Sequence, residues 1–311
     1  MRRKRWSASE LAEAFHLAYA ADFVVANDLI DDNDRSGDEL AARANVDPLV
    51  VSRLLELLAL RTDLVVQGPK GFRKGAGLGR AARALINQYV GAYGPNAAAL
   101  PEILASVARG RDLVNRERYA LAFRDVSGAG VALLPDLLRK LNLGTTLDLG
   151  CGTGQLLVEM ARGDPRFRGF GLDINPAMVR AARQRLDTND VADGGVRFFV
   201  GDASDPATGI PQEVLEETQV VVTASLLNEF FHPDASPAIR CLQALRTTMP
   251  GRVLVVADYY GSLGYVPDPS PQQALHDWVQ LLSSQGVPPP DLSGWEYVYR
   301  EAGCALVYAI E

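Results

Sequence analysis

Asp148, Asp173 and Asp202 each stand in or just after a short apolar run, and the first run leads straight into Gly150, Gly152 and Gly154. Carboxylates beside a glycine turn describe a ligand cradle rather than a nucleophilic centre. Glycine lets the main chain take positive φ and lets a ligand approach it closely, and the helix that follows aims its N-terminal amides at the same place. Asp173 comes nineteen positions after Gly154, where the end of a second strand accepts hydrogen bonds from ribose hydroxyls. The chemistry implied is binding of a nucleoside. A pyrophosphate-bearing dinucleotide fits less well, because the third glycine falls one position early for G-x-G-x-x-G and Asp148 would repel phosphates.

These residues need a sheet that brings strand ends together. TTLDL, RGFGLDI, VRFFVGDA, TQVVVTASLL and RVLVVADYY read as five strands, the last ending at Asp258, with helical stretches between them and ALVYAIE as a final strand. The pattern predicts an α/β, Rossmann-like parallel sheet. Ahead of it, Ser7 and Ser9 can cap a helix carrying Leu11, Phe15, Tyr19 and Phe23 at every fourth position. Helices over 37–44 and from Pro48 to Leu60, then strands around the turn GPKG, predict a mainly α-helical winged-helix unit. The expected divisions are 1–90, a helical linker and active-site roof over 91–140, and a catalytic domain over 141–311. Tyr89, Tyr93, Asn96 and Tyr119 are candidates to line that roof, and His16 reads as a core or interface histidine.

Composition narrows the partners. The 311 residues are 48% hydrophobic and 22% charged, with net charge −7, which suits a folded core and small-molecule chemistry rather than a polyanion. The first 90 residues carry thirteen Lys or Arg against twelve Asp or Glu, and Arg53 is the one cation of the second helix of the winged-helix pattern; a nucleic-acid partner is therefore not expected. Three cysteines without paired-ligand spacing fit a reducing, cytoplasmic setting. The acidic residues after MRRKR interrupt any signal-peptide core, and no uncharged run suits a membrane span.

LDLGCGTG, GLDINPAMVRAAR and GDASDP resemble, in that order, the cofactor-binding motifs of class I S-adenosylmethionine-dependent methyltransferases. The resemblance implies S-adenosylmethionine as cofactor. Asp148, Gly150, Gly152 and Gly154 would then surround its methionine part, Asp173 with Ile174 and Met178 its ribose side, Asp202 and Ala203 the adenine, and Ala224 the end of the fourth strand. The N-terminal module resembles the dimerisation domain of plant caffeate-type O-methyltransferases and their bacterial relatives, which implies a homodimer covering Leu11 to Phe23 and Leu54 to Leu58. The resemblance also implies a seven-stranded sheet, of which only one strand can be found after Gly303.

That family deprotonates its acceptor with a His in an H-D-W motif after the fourth strand; this chain has LLNEFFH there, so Asn228 and Glu229 replace His and Asp. Asn cannot take a proton at neutral pH, and His232 lies four residues on. A displaced HDW occurs at His276 to Trp278 and resembles the second-ligand region of metal-dependent α-keto acid C-methyltransferases. The expectation is an iron or zinc ion held by Glu229 and His276, with Asn228 as a third oxygen ligand, acting as a Lewis acid on a keto-acid-like acceptor in bacterial specialised metabolism. Three other readings remain open: an O- or N-methyltransferase working by proximity, cyclisation of S-adenosylmethionine to a ring amino acid with release of methylthioadenosine, and a regulator that senses the cofactor.

Overall fold

The computed structural model describes residues 5–124, 129–141, 144–189 and 195–310, and the chain divides into two compact units, Met1–Gly94 and Pro95–Glu311. The tail Met1 to Lys4 and Glu311 lie outside the described residues.

In the first unit the caps fall where the sequence offers them. Helix α1, Ala8–Ala26, begins at a capping box between Ser7 and Glu10, and α2, Gly37–Ala44, repeats it with Ser36 and Glu39. Asn45 ends α2 in the left-handed region at φ 53°. Asp47 then caps α3, Pro48–Arg61, whose first position is the proline. Strands β1, Val65–Gln67, and β2, Phe72–Lys74, pair antiparallel behind this helix-turn-helix, and a further helix, Arg80–Leu85, runs into a π-helical stretch over Ile86–Ala92. Val24, Leu40, Leu55 and Leu58 form the core, each fully buried leucine contributing on the order of 1.5–3 kcal/mol.

Two expectations change here. Leu55 and Leu58 are 0% exposed within this unit's own core, so they are not free to cover a partner; Leu11 and Phe15, each 57% exposed, are. His16 is exposed on this unit, its ring edge-on to Phe15 at 5.4 Å, so it is not a core histidine.

The second unit holds a five-stranded sheet in the order β5-β4-β3-β6-β7, parallel throughout. The strands are β3, Thr146–Leu149; β4, Gly169–Asp173; β5, Val196–Val200; β6, Val220–Ala224; and β7, Val253–Ala257. Central β3 is buried along its whole length, as a strand covered on both faces must be. Leu147 and Leu149 face a core with Leu242, Trp295 and Val298. On the opposite face Leu134, Leu138, Leu156 and Met160 pack around Val222. The strand order reverses at β3, from neighbours β4 and β5 on one side to β6 and β7 on the other, and the ends of these strands form the crevice where such sheets take ligands.

The expected final strand is absent: residues 305–310 have no regular structure, and Val307 is 93% exposed. Among the described residues this segment pairs with no strand, and β7 keeps an open side at the edge of the sheet. Among the described residues no helix is long and apolar enough to cross a membrane.

Candidate active site

The turn after β3 is bolted to β4 by its backbone. The amides of Gly150 and Cys151 donate to the Leu172 carbonyl at 2.8 and 3.0 Å, and the Gly152 amide donates to Asp173 Oδ2 at 2.9 Å. All three glycines of the turn have positive φ, at 69°, 54° and 72°, so each is required by conformation. Their surroundings separate their roles. A Cβ on Gly152 would meet nothing within 4 Å, whereas one on Gly154 would lie 2.6 Å from the Phe198 ring and 2.8 Å from Ala182. Gly152 is an open cradle; Gly154 is a packing glycine that lets the helix Gln155–Gly163 sit on its neighbours.

Above the turn lies a cavity of about 210 Å³. Asp148, Gly150, Gly152, Asp173, Ile174, Met178, Asp202, Ala203, Ala224 and Glu229 all line it, as the sequence reading expects; Gly154, Asn228 and His276 do not. Asp148 is 3% exposed and its Oδ1 has no hydrogen-bond partner. Burial, with the charge of Asp173 added, pushes its carboxyl up to about 8. Asp173 also accepts from the Asn175 amide at 2.8 Å; burial raises its pKa while the two amides oppose that rise. Asp202 Oδ1 is engaged by the Ser204 amide and hydroxyl at 2.8 and 2.7 Å.

Beyond β6, Ser225 takes a left-handed φ of 55° and donates its amide to the Ala257 carbonyl at 2.8 Å, re-aiming the chain into a 3-10 turn, Leu227–Phe230. This turn is held at both ends. The Asn228 amide donates to Asp258 Oδ2 at 3.1 Å, and the Phe231 amide donates to the Gln285 carbonyl at 2.9 Å. Between them Glu229 enters the cavity with a hydrogen bond from the Gln285 side chain; burial raises its pKa, and Arg116, Arg111 and Gln285 counter that. Asp258 itself is pushed up to about 7, by burial first.

The wall facing the sheet is helical. Arg111, on Gly110–Leu113, and Arg116, Tyr119 and Phe123, on Arg116–Arg124, line it. The Tyr119 and Phe123 rings lie 4.8 Å apart, and Asn175 Nδ2 ties the wall to the β4 loop through the Arg116 carbonyl at 3.3 Å. Of the roof candidates only Tyr119 lines the cavity. Asn96 is buried elsewhere in the unit, donating to the carbonyls of Gly110 and Leu282, and Tyr89 and Tyr93 belong to the first unit.

The metal expectation is corrected. Among the described residues no group of three His, Cys, Asp or Glu could hold an ion. Asn228 is buried against Asp258, and His276 stacks edge-on against Tyr259 at 4.9 Å, with burial lowering its pKa. The HDW stretch has a structural explanation instead: Asp277, 1% exposed, accepts from the Ser262 amide, the Ser262 hydroxyl and the Leu263 amide, each at 2.7 Å, and so anchors the loop after β7. His232 does not line the cavity.

Residues 142–286 match the family model described as a methyltransferase domain. The second unit has the fold of class I methyltransferases. Isonocardicin synthase of Nocardia uniformis subsp. tsuyamanensis is 40% identical over 73 residues, which are 23% of this chain and 24% of that protein; the chain thus spans about a quarter of that relative. An O-methyltransferase family protein from Burkholderia thailandensis superposes with a TM-score of 0.65 at 23% identity, covering 99% of this chain and 96% of the other. Mitomycin 7-O-methyltransferase gives 0.70 at 19% identity, covering 95% and 90%. At such identities the likeness establishes the fold, and it includes the helical N-terminal region.

The wall residues Arg111, Arg116 and Phe123 have no signal of their own in the sequence. In a run of short helices, charged side chains are indistinguishable from a solvated face until the fold places them over the strand ends.

Proposed function

We propose that this chain is an S-adenosylmethionine-dependent methyltransferase of small-molecule natural-product chemistry, with Glu229 as the base that deprotonates the acceptor. The observation that carries the cofactor reading is the pairing of an open cradle at Gly152 with the partnerless buried oxygen of Asp148, which suits the ammonium of a methionyl arm as an acidic, phosphate-repelling pocket suits a sulfonium. Asp173 would hold the ribose diol, and Asp202 and Ala203 would flank the adenine. When bound, the cofactor supplies an electrophilic methyl group on a good leaving group, so holding acceptor and methyl in line accounts for much of the acceleration.

Glu229 supports methylation of an acidic carbon beside a carbonyl, as in an α-keto acid. A buried carboxylate whose pKa has risen is matched to a weakly acidic proton, and Asn228 cannot serve. The proton passes to Glu229, the acceptor's electron pair forms the bond to the methyl carbon, and the C–S pair stays on sulfur. O-methylation is the second reading, favoured by the names of the solved relatives. Calorimetry with S-adenosylmethionine and S-adenosylhomocysteine tests the first step, and absence of binding to either sinks it. A cofactor labelled with 13C at the methyl, incubated with keto acids and with phenols, separates the two acceptors by the methyl shift of the product.

A further inference from the structure

We infer that Arg111 and Arg116 form a carboxylate-binding pair in the helical wall of the cavity; the inference rests on reading that cavity as the cofactor and acceptor site. Both side chains line the cavity, and Arg116 Nη2 lies 3.5 Å from the Arg111 backbone carbonyl oxygen, which ties the two short helices together at this wall. Neither makes an ion pair among the described residues, whereas neighbouring arginines on the same run of helices do: Arg109 with Glu102 at 3.5 Å and Arg139 with Asp136 at 2.8 Å. The charges act inward. Both guanidiniums lower the pKa of buried Glu229, and Arg116 also that of Asp173.

A guanidinium without an ion-pair partner offers the fork that takes a planar carboxylate through paired N–H···O bonds, and two such groups line this wall. A doubly charged phosphate suits the place less, since Glu229 and Asp173 stand across from it and no further cation lines the cavity among the described residues. Two carboxylates can reach a site that adjoins both the ribose-side Asp173 and the catalytic Glu229. One belongs to the methionyl arm of the cofactor. The other belongs to an acidic acceptor.

Calorimetry on the full chain distinguishes them, using S-adenosylhomocysteine, 5′-methylthioadenosine, which lacks the amino-carboxypropyl arm, and pyruvate or benzoate added to the protein saturated with S-adenosylhomocysteine. If the pair takes the methionyl carboxylate, Arg116→Met and Arg111→Met narrow the preference for S-adenosylhomocysteine over methylthioadenosine by at least about tenfold while methylthioadenosine affinity holds. If it takes the acceptor's carboxylate, that preference stays as in the parent, and millimolar binding of pyruvate or benzoate to the parent complex disappears in both variants. An unchanged preference together with no arginine-dependent carboxylate binding overturns the inference. Failure of the parent to bind S-adenosylhomocysteine would instead remove the reading beneath it. Arg→Lys at each position, which keeps the charge and loses the fork, covers the case in which a Met variant does not fold: it should retain only part of the effect, and full retention by Lys at both positions counts against a fork.

Discussion

Asp173 Oδ2 accepts the Gly152 amide at 2.9 Å, so the residue proposed to grip the ribose also sets the shape of the glycine turn beside it. One carboxylate links the two halves of the cofactor cradle. Asp173→Ala should therefore weaken S-adenosylhomocysteine binding by more than the about 1.5–3 kcal/mol of a charge-assisted hydrogen bond, because the turn relaxes as well. Calorimetry checks this; affinity within about threefold of the parent would place the ribose elsewhere.

Asp148 makes stability depend on pH in a stated direction. Its folded pKa is raised from 3.8 to about 8, so the folded state holds a proton that the unfolded state gives up. Stability is then greatest at low pH and is lost as pH rises through the window between those values, by at most about 1.4 kcal/mol per pH unit. Asp258, raised to about 7, acts in the same sense over a narrower window. The ligand-free protein should melt at a lower temperature at pH 8 than at pH 6, and Asp148→Asn should flatten the difference.

Two glycines of one turn should respond differently to the same substitution. Gly154→Ala meets both a positive φ and the Phe198 ring, and should lower stability by about 2–4 kcal/mol. Gly152→Ala meets the backbone cost alone, about 1–2 kcal/mol, but puts a methyl group where the ligand would lie. Denaturant titration beside cofactor binding reads out the exchange of effects; equal loss of affinity in both would contradict the assignment of Gly154 to packing.

Glu229→Gln keeps the Gln285 contact feasible and removes the proposed base. Turnover should fall about 10²–10⁴-fold, with cofactor affinity little changed. Chelator treatment of the parent should leave turnover intact, since Glu229 and His276 do not share a site; a loss restored by iron or zinc would reinstate the cation.

For assembly, the first unit exposes apolar side chains on α1, at Leu11 and Phe15, and on α3, at Leu57 and Leu60. Phe15→Glu should shift a dimer toward monomer in sedimentation at micromolar concentration, while a substitution at buried Leu58 should unfold the unit rather than dissociate it.

The sheet and the glycine turn were readable because they follow local rules: short continuous apolar runs mark strands covered on both faces, and the turn needs positive φ at fixed positions. The metal pair was misread for the opposite reason. The HDW at 276–278 gave the right residue types, but whether the helical Asp277 faces a cation or caps a distant loop depends on Ser262, fifteen positions upstream. The closing ALVYAIE alternates like a strand, yet alternation records only which side chains are apolar and says nothing of whether a neighbour exists to pair with. Arg111 and Arg116 were invisible because function there comes from convergence of separate short helices.

Among the described residues strand β7 has a neighbour on one side only, and Val253 at its start is 47% exposed. Edge strands open more readily than those enclosed on both sides. The same strand leads into Asp258, which fastens the turn carrying Glu229, while the glycine turn grows from enclosed β3. Warming should therefore loosen the turn that carries Glu229 before the glycine turn, so that S-adenosylhomocysteine binding outlasts turnover as temperature rises.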